Sequence, residues 1–198
     1  MSVVDDKLSK QIKFLIEIDK LKSIYRNTVL IDKSRQETSA EHSWHFAISA
    51  LILQEYSDKK VDLERVVKMS LIHDLVEIYA GDTFAFDNID TAELKEKEHE
   101  AARVLFNILP DEQKNDFYSL WLEFDENSSD DAQFANSIDR LQPFINEYFS
   151  TTTNHPPEAE MLKRMEIIKH SIPKLWEYVY AIINGEYITG GKKYNVKF

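Results

Sequence analysis

The chain has 198 residues, a formal net charge of −11 and no cysteine. The charge works against broad, sequence-independent binding to a nucleic-acid polymer, which needs a basic face. The missing cysteine excludes a disulfide, a thiolate nucleophile and any cysteine-based zinc site, so a metal would have to be held by His, Asp and Glu.

Only 4 Gly and 5 Pro accompany 43% hydrophobic residues, a balance that fits one soluble domain of long helices and not a turn-rich β fold. No apolar run reaches transmembrane length, and the opening MSVVDDKLSK lacks a signal-peptide core, so a cytoplasmic protein with no membrane partner is expected.

Apolar residues recur at helical spacing along the chain. The first helix is expected from about Leu8 to Leu21, followed by a loop carrying the basic residues Arg26, Lys33 and Arg35. Thr38, with Glu41 three residues on, has the spacing of a capping box and starts an unusually apolar helix to about Tyr56. Asp62 can cap the next helix, which holds SLIHDLVEIYAGD and stops at Gly81. A loop, DTFAFDNID, follows; Thr91 to Ile108 reads as an amphipathic helix, and Pro110 begins another through Trp121 and Phe124. ENSSDD is a turn. Ala132 to Phe149 is helical, with a kink or break expected at Pro143. Two further helical pieces run to Ile183, split near Pro173, and the tail GEYITGGKKYNVKF reads as irregular. The sum is a single all-α domain over residues 1–185, of about seven or eight helices, with a tail at 186–198.

The two most apolar helices also carry His42, His73 and Asp74. Acids and imidazoles are costly to bury unless paired or bound to a metal. Neighbours on a helix differ by about 100° in direction, so His73 and Asp74 can approach one cation from adjacent angles. Glu77, at i+4 from His73 and i+3 from Asp74, lies on the same face one turn on, within reach of a metal-bound water. Asp82 follows Gly81, where the chain can turn back, and Asp139 stands in the apolar helix FANSIDRLQPF. Two imidazoles and two carboxylates form a mixed nitrogen and oxygen set that suits one divalent ion among Mn²⁺, Fe²⁺, Co²⁺, Ni²⁺, Zn²⁺ and Mg²⁺.

His42 in AEH, the His73-Asp74 pair with Glu77, Gly81 and Asp82 at fixed spacing, and the late Asp139 together resemble the HD-domain metal-dependent phosphohydrolase superfamily. Within it, the chain is similar to the small single-domain branch that contains the 5′-deoxynucleotidases, from the first helix to about Trp176. The resemblance implies an HD-type helical domain whose metal ligands are His42, His73, Asp74 and Asp139. It assigns Glu77 and Asp82 to the nucleophilic water and the substrate. It assigns a phosphate-binding Arg to Arg26, with Arg35 at a second position where the branch carries Arg. Asn27 stands where characterised members have a Trp that helps define the sugar pocket, so the choice between deoxyribose and ribose stays open. The implied activity is hydrolysis of a nucleoside 5′-monophosphate by metal-activated water, in a homodimer. Two other readings stay open: an HD-type phosphohydrolase for a triphosphate or phosphodiester, and a helical protein that holds a metal without turnover.

Overall fold

The computed structural model describes residues 6–81, 91–150, 158–184, 188–189 and 192–193. Helix α1 (Asp6–Ile18) tightens into a 3₁₀ segment (Asp19–Ser23). Two short strands follow, β1 (Tyr25–Val29) and β2 (Gln36–Thr38), then α2 (Ser39–Leu53) and α3 (Leu63–Ile72). A 3₁₀ segment (His73–Val76) leads into the single turn α4 (Glu77–Ala80). Beyond it come α5 (Thr91–Phe106), α6 (Asp111–Asp125), α7 (Asp130–Phe149), α8 (Glu158–Met165), the single turn α9 (Ile168–Ser171) and α10 (Pro173–Ile183). Strands β3 (Ile188–Thr189) and β4 (Lys192–Lys193) pair in the tail. The domain is thus helical, as expected, with eight helices longer than one turn among the described residues.

The expected caps form. Thr38 Oγ1 accepts from the Glu41 N–H while the Glu41 carboxylate accepts from the Thr38 N–H at 3.0 Å, a complete capping box. Such a cap contributes about 1 kcal/mol and, here, fixes the entry of α2. Asp62 accepts from the N–H groups of Glu64 and Arg65 and starts α3. Gly81, at φ +80, ends α4 with its N–H on the Glu77 carbonyl, a conformation L side chains rarely adopt.

Four local expectations are corrected. The basic segment is not a loop throughout: β1 and β2 pair antiparallel, with Tyr25 opposite Thr38 and Val29 opposite Gln36. The helix expected from Asp62 to Gly81 is interrupted, because residues 73–76 wind as 3₁₀. Of the kink or break expected at Pro143, the break does not occur: the residue sits inside α7, which runs on past it. Its missing N–H deprives the Asp139 carbonyl of its usual i+4 donor, yet packing holds the helix through it. The tail, expected to be irregular, contains the β3–β4 pair.

The core has two parts. Phe46, Val66, Met69, Phe134, Ile138, Ile168 and Val179 interlock α2, α3, α7, α9 and α10. Phe14, Ile72, Leu75, Leu105, Phe106 and Trp121 join α1 to α5 and α6. The end of α3 contributes to both, with Met69 in the first cluster and Ile72 in the second. The His73-Asp74 segment therefore emerges at the junction of two well-packed cores, which gives its polar side chains a rigid frame.

Candidate metal centre

Three elements converge on one point. The first turn of α2 supplies His42, the 3₁₀ segment after α3 supplies His73 and Asp74, and the middle of α7 supplies Asp139. His42 is fully buried, and His73 and Asp74 are nearly so. One ligand atom from each of His42, His73 and Asp139 lies within 4.8 Å of the others. The His42 Nε2 is 2.8 Å from Asp139 Oδ1, and the His73 Nε2 is 3.5 Å from the same oxygen. Asp74 stands beside this trio: its Oδ1 is 3.0 Å from His73 Nε2 and its Oδ2 is 3.9 Å from His42 Nε2.

The rings are held from behind. His73 Nδ1 lies 2.9 Å from the Ser70 carbonyl, an acceptor, so Nδ1 carries the proton and Nε2 is left facing the carboxylates. The Trp121 indole N–H donates to the His73 carbonyl at 3.2 Å, and the rings of Phe46 and Phe124 pack edge-on against the imidazole. His42 Nδ1 lies 2.7 Å from the Gln142 side-chain oxygen.

This donor set fits a divalent cation. The His73 Nε2 is buried and makes no well-directed hydrogen bond, although two carboxylates stand close to it. Both Nδ1 atoms face oxygen acceptors, so two Nε2 lone pairs converge on carboxylate oxygens, an arrangement that needs a positive charge between them. Without a metal that charge is a proton. Burial opposes it at His73, but Asp74 and Asp139 outweigh burial and push the imidazole up to about 10. Burial likewise disfavours the Asp74 anion, yet His73, Arg26 and His42 bring its carboxyl down to about 2. Asp139 is held well below the usual carboxylate range, its burial overcome by His42 and His73.

Arg26 projects from β1 to this centre. Its Nη1 lies 2.6 Å from Asp74 Oδ2 and 3.7 Å from Glu77 Oε1. Winding as 3₁₀ puts residues three apart on one line, so Asp74 and Glu77 face the same guanidinium. Ser39 Oγ donates to Glu77 Oε2 at 2.6 Å and holds the carboxylate in place.

A cavity of about 830 Å³ opens over these groups, walled by Arg26, Asn27, Asp74, Glu77 and Asp139 on one side and by Phe144, Met161 and Lys163 on another. Asn27 therefore borders the cavity, as its place in the sequence suggested. Arg35 does not. It forms a two-armed ion pair with Glu41 and donates to the Gln36 carbonyl, on the face that carries Lys22, Tyr25 and Trp44. Arg35 in turn brings the Glu41 carboxyl down to about 2. The expected substrate role of Arg35 is not matched by its position. Asp82, Phe84 and Phe86 lie outside the described residues. Sequence reasoning missed Ser39, Glu37 and Gln142; Gln142 could have been found, as a polar residue one turn beyond Asp139 on the apolar helix α7.

Residues 18–178 match the HD domain family. Human 5′-deoxynucleotidase HDDC2 is 27% identical over 161 residues, covering 72% of this chain and 75% of that protein. Its counterpart from Danio rerio is 29% identical over 139 residues, covering 70% and 68%. A crystal structure described as a predicted metal-dependent phosphohydrolase from Magnetospirillum magnetotacticum superposes with a TM-score of 0.84 at 41% identity, covering 90% of this chain and 92% of that one. A Pyrococcus furiosus protein shares the fold at a TM-score of 0.66 and 24% identity. With most of its length matched, by sequence and by structure, the chain belongs to the HD domain family.

Proposed function

We propose that this chain is a metal-dependent 5′-nucleotidase that hydrolyses (deoxy)nucleoside 5′-monophosphates to nucleoside and phosphate. One observation carries the reading: the His42, His73 and Asp139 cluster adjoins an Arg26–Asp74–Glu77 group at the head of a nucleotide-sized cavity. The names of the curated relatives support the same substrate class.

His42, His73, Asp74 and Asp139 would hold one divalent ion, of the set Mn²⁺, Fe²⁺, Co²⁺, Ni²⁺, Zn²⁺ or Mg²⁺. Such an ion supplies Lewis acidity, lowering the pKa of a coordinated water and screening charge on the phosphoryl group. Glu77 orients the attacking water and accepts its proton; the Ser39 hydroxyl keeps the carboxylate aimed. The Arg26 guanidinium neutralises phosphate oxygens, a task its planar fork suits. The water oxygen bonds to phosphorus as the bond to the 5′-oxygen breaks, and the leaving oxygen takes up a proton. Asp82 contacts the substrate or donates that proton, a role taken from the family resemblance.

The test is phosphate release from ribo- and deoxynucleoside monophosphates by metal-stripped protein with Mn²⁺, Co²⁺ or Mg²⁺ restored. Release that depends on metal and on a monophosphate is the expected result. Folded, metal-loaded protein that releases nothing from any monophosphate, but cleaves a triphosphate or diester, would move the substrate elsewhere.

We also infer a cytoplasmic homodimer. Among the described residues no helix is long and apolar enough to cross a membrane. Trp44, Ile48, Leu51 and Ile52 form one exposed apolar stripe on α2 at helical spacing, the kind of surface a second copy covers. Light scattering at micromolar concentration is expected to give twice 23.2 kDa, and a species of 23.2 kDa alone would reject the dimer.

A further inference from the structure

Beside the metal centre, and outside the lining of the cavity, lies a chain of buried polar groups that the proposed chemistry does not use. Glu37, on β2, is 2% exposed, and Gln142 and Asn146, on α7, are buried with it. The Gln142 amide nitrogen donates to Glu37 Oε1 at 2.7 Å, and Asn146 donates to the same oxygen at 3.2 Å. The same Gln142 nitrogen lies 3.1 Å from His45 Nδ1, and the Gln142 oxygen lies 2.7 Å from His42 Nδ1. Both ends of the Gln142 side-chain amide are thereby directed.

The direction matters because Glu37 Oε1 stands as the acceptor for two side-chain amides. Glu37 therefore requires the NH₂ end of Gln142, which turns the Gln142 oxygen toward His42. That oxygen also only accepts, so it requires the His42 proton on Nδ1. The His42 Nε2 lone pair is then the one that faces Asp139 and His73. A buried acid two hydrogen bonds away thus sets which nitrogen of His42 can bind a cation. Residue 142 lies one turn after Asp139, and residue 146 one turn further, so one face of α7 carries a ligand, the group that orients a second ligand, and a support for that group.

We propose that Gln142 and Glu37 are positioning residues that hold His42 in its metal-binding tautomer, an inference that rests on the reading of His42 as a ligand. Partners of this kind tune affinity by about 10–100-fold. Burial of Glu37 would otherwise be unfavourable, since its Oε2 makes no hydrogen bond among the described residues. A carboxylate retained there at such cost is accounted for by the orientation it imposes.

The experiment is a Mn²⁺ titration of metal-stripped protein, read by the electron paramagnetic resonance of free Mn²⁺. Gln142→Met keeps the volume and removes the acceptor. Glu37→Gln keeps the shape but lets the facing amide present either end. Each is expected to weaken Mn²⁺ binding by about 10–100-fold. The double exchange Glu37→Gln with Gln142→Glu restores an amide facing a carboxylate, with an acceptor still on His42; the Asn146 amide then turns its oxygen to the new NH₂ at position 37 and His45 carries its proton on Nδ1, and the exchange is expected to recover most of the loss. Rescue by the exchange is a result that a purely packing role would not produce. In the Zn²⁺-loaded wild-type protein a long-range proton–nitrogen spectrum is expected to show His42 protonated at Nδ1, and in folded Gln142→Met that slowly exchanging proton is expected to be lost. Wild-type affinity in both single variants, or an exchange that binds no better than either, would overturn the proposal. If Gln142→Met does not fold, Glu37→Gln and the exchange still decide it. Folded wild-type protein that takes up no Mn²⁺ would overturn the metal-site reading itself, and this inference with it; wild-type binding unaffected by the variants would overturn this inference alone.

Discussion

Glu77→Gln is expected to lower kcat for phosphate release by about 10²–10⁴-fold, the contribution typical of a positioned acid or base. The reason lies in what the substitution spares. The amide has the shape of the carboxylate and its oxygen still accepts from the Ser39 hydroxyl, which now reaches Glu77 at 2.6 Å. None of His42, His73, Asp74 and Asp139 is altered, so Mn²⁺ is expected to bind with near wild-type affinity. What is removed is the ability to accept a proton from water, together with one carboxylate that faces Arg26. A loss confined to kcat, with Mn²⁺ binding and thermal stability kept, places Glu77 in the chemical step. Full turnover in the variant would reduce Glu77 to an ion-pair partner of Arg26 and send the search for the base elsewhere. The same variant separates an enzyme from a protein that only holds a metal, because a holder has no turnover to lose.

Much of this arrangement is legible in the sequence wherever local chemistry decides the structure. Thr38 with Glu41, Asp62 and Gly81 announce helix ends through hydrogen bonds or backbone freedom that involve only neighbouring residues, and each sits at the expected end. His42, His73 and Asp139 can be named because polar residues on apolar helices stand out, and the structure gathers one ligand atom from each within 4.8 Å of the others. The misses share a different cause. Residues 73–76 wind as 3₁₀ where an uninterrupted α-helix is expected, yet both forms accept the same residues, and the segment packs on α2, α5 and α6, which are distant in sequence or follow it. Arg26 and Arg35 are two cations in one short segment. Pairing of β1 with β2 turns Arg26 to the metal centre, while Arg35, just before β2, meets Glu41 at the start of α2. The pairing of Glu37 with Gln142 spans 105 positions and leaves no local trace. Local periodicity, in short, reveals the elements and the inward-facing polar residues; the partners of those residues depend on tertiary packing.

Asp139→Asn is expected to abolish metal-dependent phosphate release and to weaken Mn²⁺ binding by more than the ~10–100-fold typical of an outer partner, because among the described residues Asp139 is the one carboxylate that approaches both imidazoles through a single oxygen. The stability of the protein without metal supplies an independent readout. His73, pushed up to about 10 from its ordinary 6.5, contributes stability that is fully present below 6.5 and is lost as pH rises through 10. Asp74, brought down to about 2 from 3.8, contributes stability that is present above 3.8 and is lost as pH falls through 2. Metal-stripped protein should therefore melt at progressively lower temperature as pH is raised from 6.5 toward 10. Mn²⁺ should flatten that slope, since a cation takes the place of the proton between Nε2 and the carboxylates and favours the neutral imidazole. At a hundredfold excess over its Kd the ion adds about 2.7 kcal/mol, enough to read as a clear rise in melting temperature. Asp139→Asn removes one of the two acids that raise His73, so its stripped form should show a shallower alkaline slope and little response to Mn²⁺. Melting curves that follow pH identically with and without Mn²⁺ in the wild-type protein would mean that the cluster is a proton-bridged core pair and not a metal centre.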